Sequence, residues 1–216
     1  MQPCPTTLAI ETSTPHGSVG LQIADAAWQN ELFFSDRGHN CEVFLPLQRL
    51  SAVAEVGKIE QIIVGTGPGS YSGTRVGIAV AQGLAIVHQC PIAGVPSLLG
   101  LPTVRQKSRC LAIGDARRGD WWWVWIDEGK MPLAPTMGSI ELLLDQVTLA
   151  ERVLSLDAIH HPSLEGKVTQ EIPSAHELWQ AWLDLSQQEK VEYSTQILQP
   201  LYLKPPHITP AKSRNH

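Results

Sequence analysis

Residues 62–85 read IIVGTGPGSYSGTRVGIAVAQGLA. An apolar strand runs into a glycine loop, and the loop opens a helix. Backbone amides gathered at a helix start can bind an anion, so Gly67, Gly69 and Ser70 are candidate contacts for a phosphate. Two familiar nucleotide motifs are nevertheless missing. A Walker loop carries a Lys directly after its last glycine, and here Gly73 is followed by Thr74. A dinucleotide fingerprint needs Gly-x-Gly-x-x-Gly, and the gap from Gly69 to Gly73 is one residue too long. A glycine-rich turn with no ligand explains the same residues.

Other candidate chemistry is sparse. Glu11 and Asp115 close two similar strands, as in folds that hold a metal-bound nucleotide between two lobes. One carboxylate per lobe falls short of the acidic cluster of a two-metal nuclease. The eight His residues form no His-x-x-x-His pair on an expected helix. Ser70, Ser72 and Ser97 lack an evident His and Asp to activate them, and Ser70 and Ser72 read as helix caps.

The helix after the loop has its own pattern. Gly73, Gly77, Ala81 and Ala85 recur every fourth residue and line one face with almost no side chain. Val76, Val80 and Leu84 run beside it, so the helix is apolar nearly all round and must be covered on several sides. Either the chain's own sheet and helices cover it or a partner subunit does. An earlier helix, expected over 40–56, carries Val43, Phe44, Leu47, Leu50 and Val53 on its apolar face, with Pro46 bending or starting it.

Composition bounds the class. With 216 residues, 43% hydrophobic and 17% charged, the chain suits one globular domain or two small lobes. A net charge of −5 is unlike a protein that grips nucleic acid alone. No apolar run is long enough to span a membrane, and no signal peptide precedes the first strand. Cys4, Cys41, Cys90 and Cys110 are widely spaced and read as free thiols in a reducing cytoplasm.

Strands are expected at 6–11, 18–24, 28–34, 61–65 and 91–95. The pattern then restarts: Leu8-Ala9-Ile10-Glu11 with its polar turn resembles Leu111-Ala112-Ile113-Gly114-Asp115 with its own. Strands at 121–127 and 152–156 follow, with helices at 139–147 and 174–187. This is a degraded duplication of an α/β unit with a mixed sheet in each half. Its second copy is shorter and lacks the glycine-loop helix. The expected organisation is an N-terminal lobe (1–104) with the glycine loop and docking helices, a smaller C-terminal lobe (105–198), and a tail (199–216) returning to the first lobe. Trp121 to Trp125 reads as a central strand covered on both sides; an exposed Trp for docking is the sharper alternative.

Residues 67–77 with 81–85 resemble the signature of the TsaB (YeaZ) family. The turn motifs at 8–14 and 115–120 and Pro200-Leu201-Tyr202-Leu203 agree with it. His39 with Pro46 resembles the family's helix start. The resemblance implies a two-lobed ASKHA fold (actin/sugar-kinase-like, RNase H-like). It implies a cytoplasmic, non-catalytic scaffold in making threonylcarbamoyladenosine (t6A) on tRNA. Such a scaffold pairs with and stabilises the transferase TsaD through N-terminal helices, or with a second copy through the same surface. The interface would include Val43, Leu47, Leu50, Gly73, Val76, Gly77, Val80, Ala81 and Leu84. TsaE would join through the TsaB–TsaD complex, and tRNA would be met only indirectly. No cofactor is expected to be firmly bound, with ATP or ADP at the junction with the partner. TsaD-type proteins place a His-x-x-x-His metal pair where this chain has Ser97 and Leu101. The alternatives are an ASKHA-type ATP-binding enzyme using Glu11, Asp115 and the loop, a metal-dependent glycoprotease-like protein, and a direct tRNA-binding module.

Overall fold

The computed structural model describes residues 5–24, 26–35, 42–53, 58–132 and 134–203. His39, Cys4, Cys41 and the tail beyond 203, each the subject of an expectation above, lie outside the described residues. The first repeat runs β1 (Thr7–Glu11), β2 (His16–Gln22), β3 (Gln29–Phe34), α1 (Phe44–Val53), β4 (Gln61–Gly65), α2 (Tyr71–His88) and β5 (Ile92–Val95). A 3-10 turn (Ser97–Gly100) and α3 (Pro102–Arg105) lead out of it. The second runs β6 (Cys110–Asp115), β7 (Trp121–Ile126), β8 (Thr136–Gly138), α4 (Ile140–Thr148), β9 (Val153–Ser155), a 3-10 turn (Pro162–Leu164), β10 (Thr169–Gln170) and α5 (Ala175–Asp184). Then comes α6 (Gln187–Thr195).

The duplication is complete in its strands. One five-stranded sheet has the order β3-β2-β1-β4-β5 and the other β10-β9-β6-β7-β8, the same order read from the opposite edge. In each, the first three strands are antiparallel and the later two join in parallel. This is the expected two-lobed α/β duplication with a mixed sheet per lobe. Two strands escaped the sequence pattern, β8 and β10, because three and two residues are too short to show a period of two. Where the first repeat has the 18 residues of α2, the second has only the 3-10 turn at Pro162–Leu164.

Strand alternation sorts the core into layers. Leu8, Ile10, Ile62 and Val64 face α1 and α2 in one apolar cluster. Their alternates Ala9 and Ile63 face a central cluster shared with Ala112, Val124 and Leu154 of the second sheet and with α5. Leu111, Ile113, Trp121 and Trp123 face Leu143 and Val147 of α4 in a third. The Trp run is therefore a central strand with both faces covered: Trp121 and Trp123 go outward to α4, Trp122 inward. Half-buried Trp125 spends its indole N–H on the Gln146 side chain, 2.9 Å away.

The expected division at 105 falls at the last residue of α3. Helix α5 packs on β1, β2 and β4, and α6 on β5. Ala175, Leu178 and Trp182 supply the small and large apolar teeth of that contact, and the Ser18 hydroxyl accepts a 2.8 Å bond from the Ala175 amide. Ser174 caps α5 and a Ser186–Glu189 capping box starts α6.

Candidate functional site: the interlobe cleft and the outer helix face

The glycine loop lies at the mouth of a cleft of about 1060 Å³ between the lobes. Gly67, Gly69 and Ser70 line it from one side and Asp115 from the other, so the duplication brings these expected residues together. Gly67 and Gly69 both have positive φ (88° and 152°), and a Cβ on Gly69 would overlap the Ser13 carbonyl. The sequence needs glycine there to pass close to the β1–β2 turn.

Three of the loop's amides are engaged within the chain. Ser70 N–H donates to Ser13 O at 2.6 Å, Gly67 N–H to Ser97 Oγ at 2.9 Å, and Gly73 N–H to the capping Ser70 Oγ at 3.2 Å. A phosphate cradle presents such donors to its ligand; here they fasten the loop to its surroundings. Ser70 is the cap that the sequence suggested, whereas Ser72 lies exposed inside the first turn of α2.

The two carboxylates do not form a pair. Glu11 is completely buried behind the loop and does not line the cleft. Its Oε1 accepts from Ser13 N–H at 2.6 Å, while among the described residues Oε2 has no hydrogen-bond partner. A Cβ on Gly65 would strike Oε2, which shows how tightly the strand covers it. Burial pushes the Glu11 carboxyl up, against the Ser13 hydrogen bonds that favour its charged form. Asp115 is exposed and closes its own turn: Oδ1 accepts from Arg117 N–H at 2.6 Å and Oδ2 meets the Arg117 guanidinium at 3.5 Å. Of the two carboxylates, Asp115 alone lines the cleft. Among the described residues, no three His, Cys, Asp or Glu are grouped so as to hold a metal ion.

The small-residue stripe of α2 also has a local explanation. Thr12, just past β1, sits in the notch between Gly73 and Gly77 and donates its hydroxyl to Gly73 O at 2.9 Å. A Cβ on Gly77 would overlap that hydroxyl, and one on Gly73 would overlap Thr12 O. Gly77 and Ala81 are buried in the chain, as are Val43 and Leu50 of the α1 side. These four are covered within the lobe itself. Gly73, Leu47, Val76, Val80 and Leu84 are half-buried, and the last four pack against the lobe's core.

What stays open is the opposite face. Ser72, Ala79, Gly83 and Ile86 are exposed, with half-buried Val76 among them, and they recur alternately four and three residues apart. That is the spacing of a helix-pairing seam, made of small residues that allow close approach. Ile86 is 77% and neighbouring Val87 74% exposed, and a Cβ on Gly83 would meet nothing within 4 Å. On α1, Phe44 and Leu45 are likewise more than half exposed. The seam was readable in the four-three spacing, but the every-fourth-residue stripe was the stronger signal and drew attention to the covered side.

The family model of TsaD, tRNA N6-adenosine threonylcarbamoyltransferase, matches residues 37–177, more than half of the chain. The chain belongs to this family, in its TsaB (YeaZ) group. TsaB of Escherichia coli K12, a tRNA threonylcarbamoyladenosine biosynthesis protein, is 33% identical over 122 residues, which are 54% of this chain and 52% of the relative. TsaB of Haemophilus influenzae is 30% identical over 122 residues, 53% of this chain and 51% of the relative. The match thus spans about half the length of these TsaB proteins. Among solved structures, a Pseudomonas aeruginosa protein with similarity to peptidase YeaZ superposes with a TM-score of 0.71 at 23% identity. YeaZ of P. aeruginosa gives 0.64 at 24%. Each covers 93% of this chain and 100% of its own, so the TsaB fold extends through both lobes.

Proposed function

We propose that the protein acts in tRNA t6A biosynthesis as a non-catalytic subunit that docks on TsaD through the outer face of α1 and α2. The observation that carries this is the exposed small-residue seam of α2, flanked by Phe44 and Leu45 of α1. Such a face lets a partner helix approach closely and gains from covering apolar side chains. The chain's own site chemistry supports the reading. The positions where the TsaD-type metal pair would fall are Ser97 and Leu101, and both are fully buried. Ser97 spends its hydroxyl on the glycine loop instead. The subunit therefore lends a surface, and ATP or ADP, where required, binds at the junction with the partner.

The test is to purify the chain with TsaD of the same organism and measure the mass of the product by sedimentation. A complex of the two chains that makes t6A on tRNA in the full reaction, with neither protein sufficing alone, is the expected result. A chain that never associates with TsaD, or one that transfers the threonylcarbamoyl group unaided, contradicts the proposal.

A further inference from the structure

After α6 the chain crosses the mouth of the cleft. Leu198 seats over Gly94, where a Cβ would overlap its Cδ1, and joins the core beneath α1 and α2. Leu201 N–H donates to Thr66 O at 2.8 Å, at the root of the glycine loop. The Tyr202 ring lies 6.0 Å from that of Tyr71, the first residue of α2. Leu203 then joins the central cluster that both lobes share. Residues 200–203 all line the cleft beside the loop. The loop is thus held from three sides: by Ser13 at the β1–β2 turn, by Ser97 after β5, and by this segment.

We propose that residues 198–203 form a strap that holds the glycine loop and the first turn of α2 in place. Among the described residues, the strap meets the loop through the Leu201–Thr66 backbone hydrogen bond and the start of α2 through the Tyr202–Tyr71 ring contact, while Leu198 and Leu203 anchor it in the apolar clusters. Because the first turn of α2 begins the exposed seam, the strap bears on the geometry of that face as well as on the loop. This holds for the isolated chain and does not rest on the identity of any partner.

The test is amide hydrogen exchange on the full chain carrying Leu201→Pro, which removes the donor, or Tyr202→Ala, which removes the ring. The amides of Thr66, Gly67 and Ser70 are each hydrogen-bonded and report on the loop. They are expected to exchange about tenfold faster in either variant, the scale of one net hydrogen bond. The amides of β6 and β9 should keep their rates. Leu201→Ala, which retains the donor, should leave the loop close to wild type. Unchanged loop rates in both main variants would overturn the proposal. A uniform rise through both sheets would overturn it too, since the segment would then only add to global stability.

Discussion

Two faces of α2 are built from small residues for opposite reasons. The inner face, with Gly73 and Gly77, is small because Thr12 of the same chain comes up against it. The outer face, with Ser72, Ala79 and Gly83, is small with open space beyond. Spacing alone makes both look like docking stripes. Only the position of the sheet tells which one the lobe has already used. A small-residue helix face is therefore evidence of close approach, and the identity of what approaches must come from the tertiary structure.

Substitutions on the inner face should break the molecule and those on the outer face should not. The largest effect is expected for Gly77→Leu. Its side chain would collide with Thr12, and overpacking of this kind costs about 3 kcal/mol. Denaturant unfolding of the isolated chain should show the loss with no partner present. A fully stable variant would mean that the inner notch has room to spare.

Glu11, the residue before Thr12, gives the next effect. Its folded pKa is raised above the ordinary value of 4.5, chiefly by burial. The stability it contributes is therefore fully present below that value and is lost as pH rises toward the folded pKa. Glu11→Gln removes the titration. Relative to wild type, the variant should gain stability above pH 4.5, at a limiting slope of about 1.4 kcal/mol per pH unit. Unfolding midpoints measured across pH check this, and parallel profiles for the two proteins would contradict it. The smallest effect belongs to the outer face: Gly83→Ala should stabilise the isolated helix by about 1 kcal/mol, since the new methyl meets nothing. A higher melting temperature is the expected readout, and a lower one would show that the outer face is covered within the chain.

Much of this was legible in the sequence, and the misses have physical causes. The repeated Leu-Ala-Ile with a terminal acid gave the duplication, because a strand buried on both faces leaves an unbroken apolar run ending where the chain turns. The glycine loop was recognisable from Gly67 and Gly69, whose positive φ only glycine accepts readily. Strands β8 and β10 were too short to register. The partition of Gly77 and Ala81 into the core was invisible because an apolar face looks the same whether its cover is internal or external. The burial of Glu11 was hidden for a related reason: a strand-end acid reads as a ligand until Gly65 and Ser97 are seen closing over it. The heptad-like seam was present in the residues, but choosing between two small stripes required the fold.

The central claim is that the outer face of α2 is where the partner docks. The most direct measurement compares wild type with Ala79→Glu/Ile86→Glu for affinity to TsaD, together with unfolding of each isolated chain. Both positions are exposed, so the stability of the isolated chain should stay within about 0.5 kcal/mol of wild type. The dissociation constant for TsaD should rise roughly 100-fold or more, as charges placed at the centre of an apolar interface require. An unchanged dissociation constant with a normally folded variant would place the partner elsewhere.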